Sequence, residues 1–286
     1  MERKSNDSDF GDDVTIGIAA ITIPDDVIVC VSDKMISFGD MLPADDNAII
    51  KSVYLNDQWE AVWATNSIAV ILPILDEVRR RFKLTPPEYG ADAAQELANV
   101  YSEVLQKQFV AAHLSRFNYG TVEQFRKEGR ADLGDDQFRD ICIELGRFDL
   151  GGTSFLLFGH EHKLRPKLFE ISEPGRTIDH NLLHYGVIGS GYDMARASLR
   201  RRRFHGLEDT VYRLLEAKFS AETATGVGKT TTVLLRNREG IVRLMPSKEI
   251  DKIREIWEET RKLSNPPDAI KIIESSAAIT DVSGVR

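Results

Sequence analysis

The chain has 286 residues, of which 42% are apolar and 29% charged, the balance of an ordinary globular protein. Its 45 acidic against 37 basic side chains leave a formal net charge of -8, which opposes non-specific binding to nucleic acid. Two cysteines, Cys30 and Cys142, cannot supply a disulfide framework. The polar opening from Met1 to Asp9 lacks the apolar core of a signal peptide, and no apolar run is long enough to cross a bilayer. The expectation is a cytoplasmic protein that binds neither nucleic acid nor membrane.

Residues 1–14 read as a leader or propeptide. A strand runs through Asp13 to Ala20, Pro24-Asp25-Asp26 turns the chain, and a second strand, Val27 to Val31, ends at Ser32-Asp33. This hairpin brings Thr15 close to Asp33. Both strands are almost continuously apolar, as strands covered on both faces are. An irregular stretch from Phe38 to Asn47 leads to strands Ile49 to Leu55, which carries Lys51 near its start, and Trp59 to Ala64 beyond the turn Asn56-Asp57. The four strands read as one meander.

Apolar residues at helical spacing predict helices over Ser67 to Arg81 and Tyr89 to Phe117, either side of Thr85-Pro86-Pro87. The charged stretch 118–147 reads as an insertion with short amphipathic pieces, Val122 to Arg126 and Phe138 to Leu145. Strands follow at Thr153 to Gly159, Pro166 to Ile171 and Leu183 to Ile188, then helices at Tyr192 to Arg203 and Leu207 to Thr223. Strands Thr230 to Arg236 and Ile241 to Leu244 flank a turn at Asn237 to Gly240. A last helix, Lys248 to Leu263, stops before Pro266-Pro267, and the tail to Arg286 receives no assignment. Strands and helices alternate in blocks, a pattern that suggests antiparallel sheets between helical layers rather than a doubly wound parallel sheet.

From about Val14 to Leu244 the chain resembles the proteasome β-subunit family and its bacterial proteasome-like relatives, which are N-terminal nucleophile (Ntn) hydrolases. The resemblance rests on Thr15-Ile16-Gly17-Ile18-Ala19-Ala20, on Val31-Ser32-Asp33, and on Lys51 opening its strand. It rests also on Gly189-Ser190-Gly191 before a helix and on Glu222 to Gly228 after the next one. It implies an α+β fold, a four-layer αββα sandwich of two antiparallel sheets between helix pairs. The divisions would be a leader at 1–14, a domain at 15–247 with its insertion at about 118–147, and a C-terminal helix and tail at 248–286. It further implies that the chain is cut before Thr15, whose hydroxyl becomes the nucleophile and whose freed α-amine becomes the base.

An α-amine with a pKa of about 7.7 to 8.0 suits that task near neutral pH, whereas an unperturbed lysine near 10.4 does not. Lys51 would then act as a fixed positive charge that lowers the amine's pKa and stabilises the attacking oxygen, with Asp33 holding it in place. Removing Lys51 should abolish the chemistry without unfolding the protein. By the same resemblance Ser190 hydrogen-bonds near the new N-terminus, and Glu222 and Thr225 complete the surroundings. The chain departs from the family at Val14, where glycine is usual, and at Thr65, in the oxyanion region where a glycine N–H is usual. The implied function is a threonine-type amide hydrolase, a peptidase acting on a peptide or small amide. It would use no metal or cofactor and would assemble with copies of itself in a ring or stack; the sequence does not say whether an unfoldase joins it. The alternative is an unprocessed, inactive scaffold or binding subunit.

Other motifs carry less. Gly226-Val227-Gly228-Lys229-Thr230 looks like a phosphate-binding loop, but that loop needs a strand before and a helix after, and here the order is reversed. Neither His160-Glu161-His162 nor the pair His180 and His184 has the cysteine or carboxylate partners of a zinc site. The run Arg200 to Arg203 falls at an expected helix C-terminus, where cations offset the helix dipole. Ile250, Ile253, Trp257 and Leu263 form an apolar stripe that packs on the core or docks on a neighbouring subunit.

Overall fold

A computed structural model describes residues 15–35, 50–65, 68–162, 164–200, 204–224, 226–260 and 267–276. The expected leader 1–14, the irregular stretch 38–47, most of the arginine run (201–203) and Thr225 lie outside the described residues. In chain order the elements begin with β1 (Ile16–Ile21), β2 (Ile28–Asp33), β3 (Ser52–Tyr54) and β4 (Trp59–Ala64), followed by helices α1 (Ile68–Leu84), α2 (Gly90–Phe109), α3 (Val122–Leu133) and α4 (Asp135–Arg147). Next come β5 (Ser154–Glu161), β6 (Arg165–Ser172), β7 (Arg176–Asp179) and β8 (Tyr185–Gly189), then α5 (Tyr192–Leu199) and α6 (Leu207–Ala221). The chain closes with β9 (Thr231–Arg236), β10 (Val242–Leu244), α7 (Ser247–Thr260) and α8 (Pro267–Glu274).

The strands form two five-stranded antiparallel sheets, ordered β10-β9-β2-β1-β8 and β3-β4-β5-β6-β7. The first four strands are therefore not one meander. Every residue of β1 and β2 is buried, so both need a strand on each side and cover on each face; β9 and β8 supply the flanking strands, and the chain moves to the second sheet before β3.

Because strand side chains alternate between faces, each sheet divides its apolar residues between two cores. On one face of the first sheet Ile16, Ile18, Val29, Val31, Val233 and Leu235 pack with Leu214, Leu215 and Phe219 of α6 and with Ile250 and Ile253 of α7. The opposite face presents Ala19, Ile21, Ile28, Cys30 and Leu234 to Val62, Ala64, Leu156, Phe158 and Leu168 of the second sheet. The far face of that sheet, with Trp59, Ala61, Phe155, Leu157 and Ile171, meets Ile71, Ile74 and Val78 of α1 and Leu97 and Tyr101 of α2. The two sheets are clamped by a buried ion pair, Arg236 of β9 with Glu60 of β4.

Local structure differs from expectation in four places. The long helix to Phe117 leaves α geometry at Phe109, turns through a π segment, Val110–Leu114, and a 3-10 turn, Ser115–Phe117, and stops at Asn118 with φ of 64°. The stretch expected as an insertion is a helical hairpin with its own small core of Phe109, Leu114, Tyr119, Val122, Phe125 and Ile141, and the Thr121 hydroxyl caps α3 by accepting from the Gln124 N–H. Strand β7 has no counterpart among the expected strands, because it is short and largely exposed and carries no apolar alternation. Helix α8 buries Ala269 and Ile273 against the core beside α6. Among the described residues no helix is long and apolar enough to cross a membrane.

Candidate active site

Thr15 immediately precedes β1, and the β1–β2 register of Gly17 with Ser32 sets it beside Asp33, the last residue of β2. Its hydroxyl donates to Asp33 Oδ1 at 2.9 Å, and the Ile16 N–H donates to the same oxygen at 3.0 Å. Lys51, one residue before β3 in the other sheet, brings its ammonium between the two, donating to Asp33 Oδ1 at 2.8 Å and to Thr15 Oγ1. The second carboxylate oxygen accepts from the Gly228 N–H at 3.2 Å. Four donors thus converge on Asp33, and Thr15, Asp33 and Lys51 are at most 1% exposed. The Lys51 ammonium also stands 5.8 Å from the centre of the Trp63 ring, a contact that favours cations.

Ser190 meets Thr15 from just beyond the end of β8, the neighbour of β1 on its other side. The Thr15 N–H donates to Ser190 Oγ at 3.4 Å, and Ser190 Oγ donates to the Thr15 carbonyl at 3.2 Å. This approach depends on Gly189, which has φ of +94° and whose backbone lies so near Thr15 that an added Cβ would sit 2.3 Å from the Thr15 carbonyl oxygen. A cleft of about 290 Å³ opens beside Gly189, lined also by Thr153, Glu173 and Tyr192.

No family model matches the chain, and no curated protein matches it. Among solved structures 546 chains match. One is the Anbu (Gly-1) mutant from Hyphomicrobium sp. strain MC1, with a TM-score of 0.60 and 14% identity over 87% of this chain and 95% of that one. The chain has a proteasome-like fold.

The resemblance to a hydrolase family is thereby corrected to a likeness of architecture: at 14% identity, with no family model or curated relative matching, fold alone is shown. The physical reason is visible in the motifs that carried it. The apolar run Ile16 to Ala20 is what a strand buried on both faces requires, and Gly189 is what the close approach of β8 to Thr15 requires. Such residues report a shared backbone before they report shared descent.

The remaining expected site residues are placed as follows. The Thr65 hydroxyl, at the end of β4, bonds Thr153 Oγ1 at 2.7 Å; since Thr153 donates to the Leu150 carbonyl at 2.6 Å, Thr65 is the donor between them. Glu222 does not reach Thr15: its two oxygens are taken by Lys218 and by Arg254, whose Nη2 donates at 2.8 Å. Thr225 lies outside the described residues. The loop after α6 is not a phosphate cradle, because its Gly228 N–H serves Asp33 while the Gly228 and Lys229 carbonyls face the cations Lys218 and Arg254. No cluster able to hold a metal ion occurs among the described residues.

Two residues that the sequence reading overlooked stand behind this site. Lys218 is fully buried and donates to Glu222, to Gly228 O at 2.6 Å and to Lys229 O at 3.0 Å; Arg254 of α7 donates to Lys229 O at 2.7 Å and covers the Phe219 ring at 4.1 Å. Burial pushes the Lys218 ammonium down to about 8, against the opposing pull of Glu222. A signal for Lys218 was present: it lies on the apolar side of α6, between Ala217 and Phe219, four residues before an acid.

Proposed function

We propose that this chain is a threonine-type amide hydrolase, acting on a peptide or small amide, in which Thr15 becomes the nucleophile once the leader 1–14 is removed. The observation that carries the reading is the buried Lys51 ammonium, in contact with the Thr15 hydroxyl and the Asp33 carboxylate together. Taking an ion pair out of water costs several kcal/mol per ion, and apolar residues would fill the same strand ends at no such cost. A threonine hydroxyl held against a buried cation gains something that packing does not need: its oxygen is stabilised as it loses its proton.

In the proposed cycle the freed Thr15 amine accepts the hydroxyl proton, the oxygen attacks the substrate carbonyl beside Lys51, and the amine passes that proton to the leaving amine as the C–N bond breaks; water then cleaves the resulting ester and restores the Thr15 hydroxyl, while Asp33 keeps Lys51 aimed. Ser190 Oγ, already a hydrogen-bond partner of Thr15 N, holds the amine in place. No metal or cofactor takes part. The four-layer arrangement belongs to the same proposal, supported by the three stacked cores. So do the division at residues 15 and 247, with an elaboration at 118–147, and assembly with further copies of the chain.

One observation favours the alternative of an uncut scaffold. Thr15 has no exposed surface and its proton is directed at Asp33, so a substrate does not meet it in this arrangement. The intact mass of the untagged protein separates the two. Loss of residues 1–14, together with an uncut and inactive Thr15→Ala variant, is expected of the hydrolase. A full-length mass with no hydrolysis supports the scaffold, and hydrolysis that persists in Thr15→Ala refutes the nucleophile assignment.

A further inference from the structure

Asp33 is held by groups that differ in kind. Thr15, Ile16 and Lys51 bind one oxygen from within the site, while the other oxygen has a backbone N–H, that of Gly228, in the loop joining α6 to β9. A loop is a poor anchor for a carboxylate unless something fixes the loop. Here the fixing groups are the ammonium of Lys218 and the guanidinium of Arg254, which bind the carbonyls of Gly228 and Lys229 and share the carboxylate of Glu222.

We propose that Lys218, braced by Glu222 and Arg254, is a positioning residue that fixes the Gly228 N–H on Asp33 and thereby sets the geometry of the Thr15, Asp33 and Lys51 group. This deepens the hydrolase reading and rests on it for its functional meaning, though not for its geometry. The energetics favour positioning over support. Burial pushes the Lys218 ammonium down to about 8, so carrying its charge inside costs the fold stability rather than adding to it. The charged groups around it are Glu222 on its own helix, Arg254 from α7 and Asp33 from β2, and only the charged form offers three donors to Glu222 and both carbonyls at once.

The test is hydrogen exchange of the segment 226–231 in the full chain, compared between wild type and Lys218→Met, alongside thermal unfolding. Methionine keeps the length and apolar bulk of the side chain and leaves Glu222 paired with Arg254. The expected result is exchange at Gly228 and its neighbours at least about tenfold faster in the variant, with the midpoint of global unfolding unchanged or raised. In wild type the same segment should loosen as pH rises through about 8, beyond the intrinsic acceleration of exchange, and the variant should lack that step. Unchanged exchange would overturn the proposal. So would acceleration that merely follows a global loss of stability, since that is what a packing role predicts. If Lys218→Met does not fold, Glu222→Gln, which preserves shape and removes the shared charge, is read in the same way. Exchange reads the loop whether or not the chain hydrolyses anything. An inactive wild type with the expected exchange would sink the hydrolase reading alone, and an active one with unchanged exchange would sink the positioning role alone.

Discussion

Gly189→Ala is the sharpest perturbation the site offers, because it adds one carbon and no charge at the point where the end of β8 pairs with the start of β1. Two costs arise. The residue has φ of +94°, a backbone conformation that costs an alanine about 1 to 3 kcal/mol. The new Cβ would also lie 2.3 Å from the Thr15 carbonyl oxygen, 2.9 Å from its carbonyl carbon and 3.2 Å from its methyl group, so the Thr15 backbone must retreat by roughly an ångström, an overpacking cost of about 1 to 3 kcal/mol. Together these give a destabilisation of about 2 to 6 kcal/mol, read as a lowered urea midpoint with an unchanged slope. The same displacement pulls Thr15 away from Ser190 and Lys51, so whatever cleavage or hydrolysis the wild type shows should fall by about a hundredfold or more. A variant as stable and as active as wild type would refute the claim that this close pairing positions the nucleophile.

Two further outcomes follow from buried polar groups away from the site. His160 donates through Nε2 to the Asp26 carbonyl at 2.7 Å while its Nδ1 is buried without a partner among the described residues, and burial pulls its pKa down from 6.5 to about 4. The unfolded chain therefore takes up this proton first, so roughly 3 kcal/mol of stability is lost as pH falls from about 6.5 towards 4. Urea midpoints at several pH values should drop less steeply in His160→Gln, which keeps the donor to Asp26, and parallel profiles would contradict the assignment. Arg236→Leu leaves Glu60 buried between the sheets with its cation gone, at a cost of about 3 to 5 kcal/mol, and adding Glu60→Leu should recover most of it. A double variant no more stable than the single one would show that the pair does more than compensate its own burial.

Local pattern determined a good deal of this protein. The alternating and continuous apolar runs located β1, β2, β4, β5, β6, β8 and β9, and the turn at Pro24-Asp25-Asp26 made Thr15 and Asp33 neighbours, because a hairpin register is set over a dozen residues of chain. Which strands then lie side by side was settled elsewhere. β2 pairs with β9 rather than β3 because β2 and β9 are buried at every residue whereas β3 is partly exposed, and the two buried strands take interior positions although they lie some two hundred residues apart in the chain. The same holds for the site. Lys51 reaches Asp33 only because one sheet is stacked on the other, and Ser190 reaches Thr15 only because β8 closes on β1. Glu222, placed by the resemblance among the surroundings of the nucleophile, is drawn instead to the two cations nearest it, Lys218 and Arg254, the latter on a helix thirty-two residues away. Periodicity records which face of an element is buried. It does not record what that face is buried against, and the charges inside this fold are arranged by that second fact.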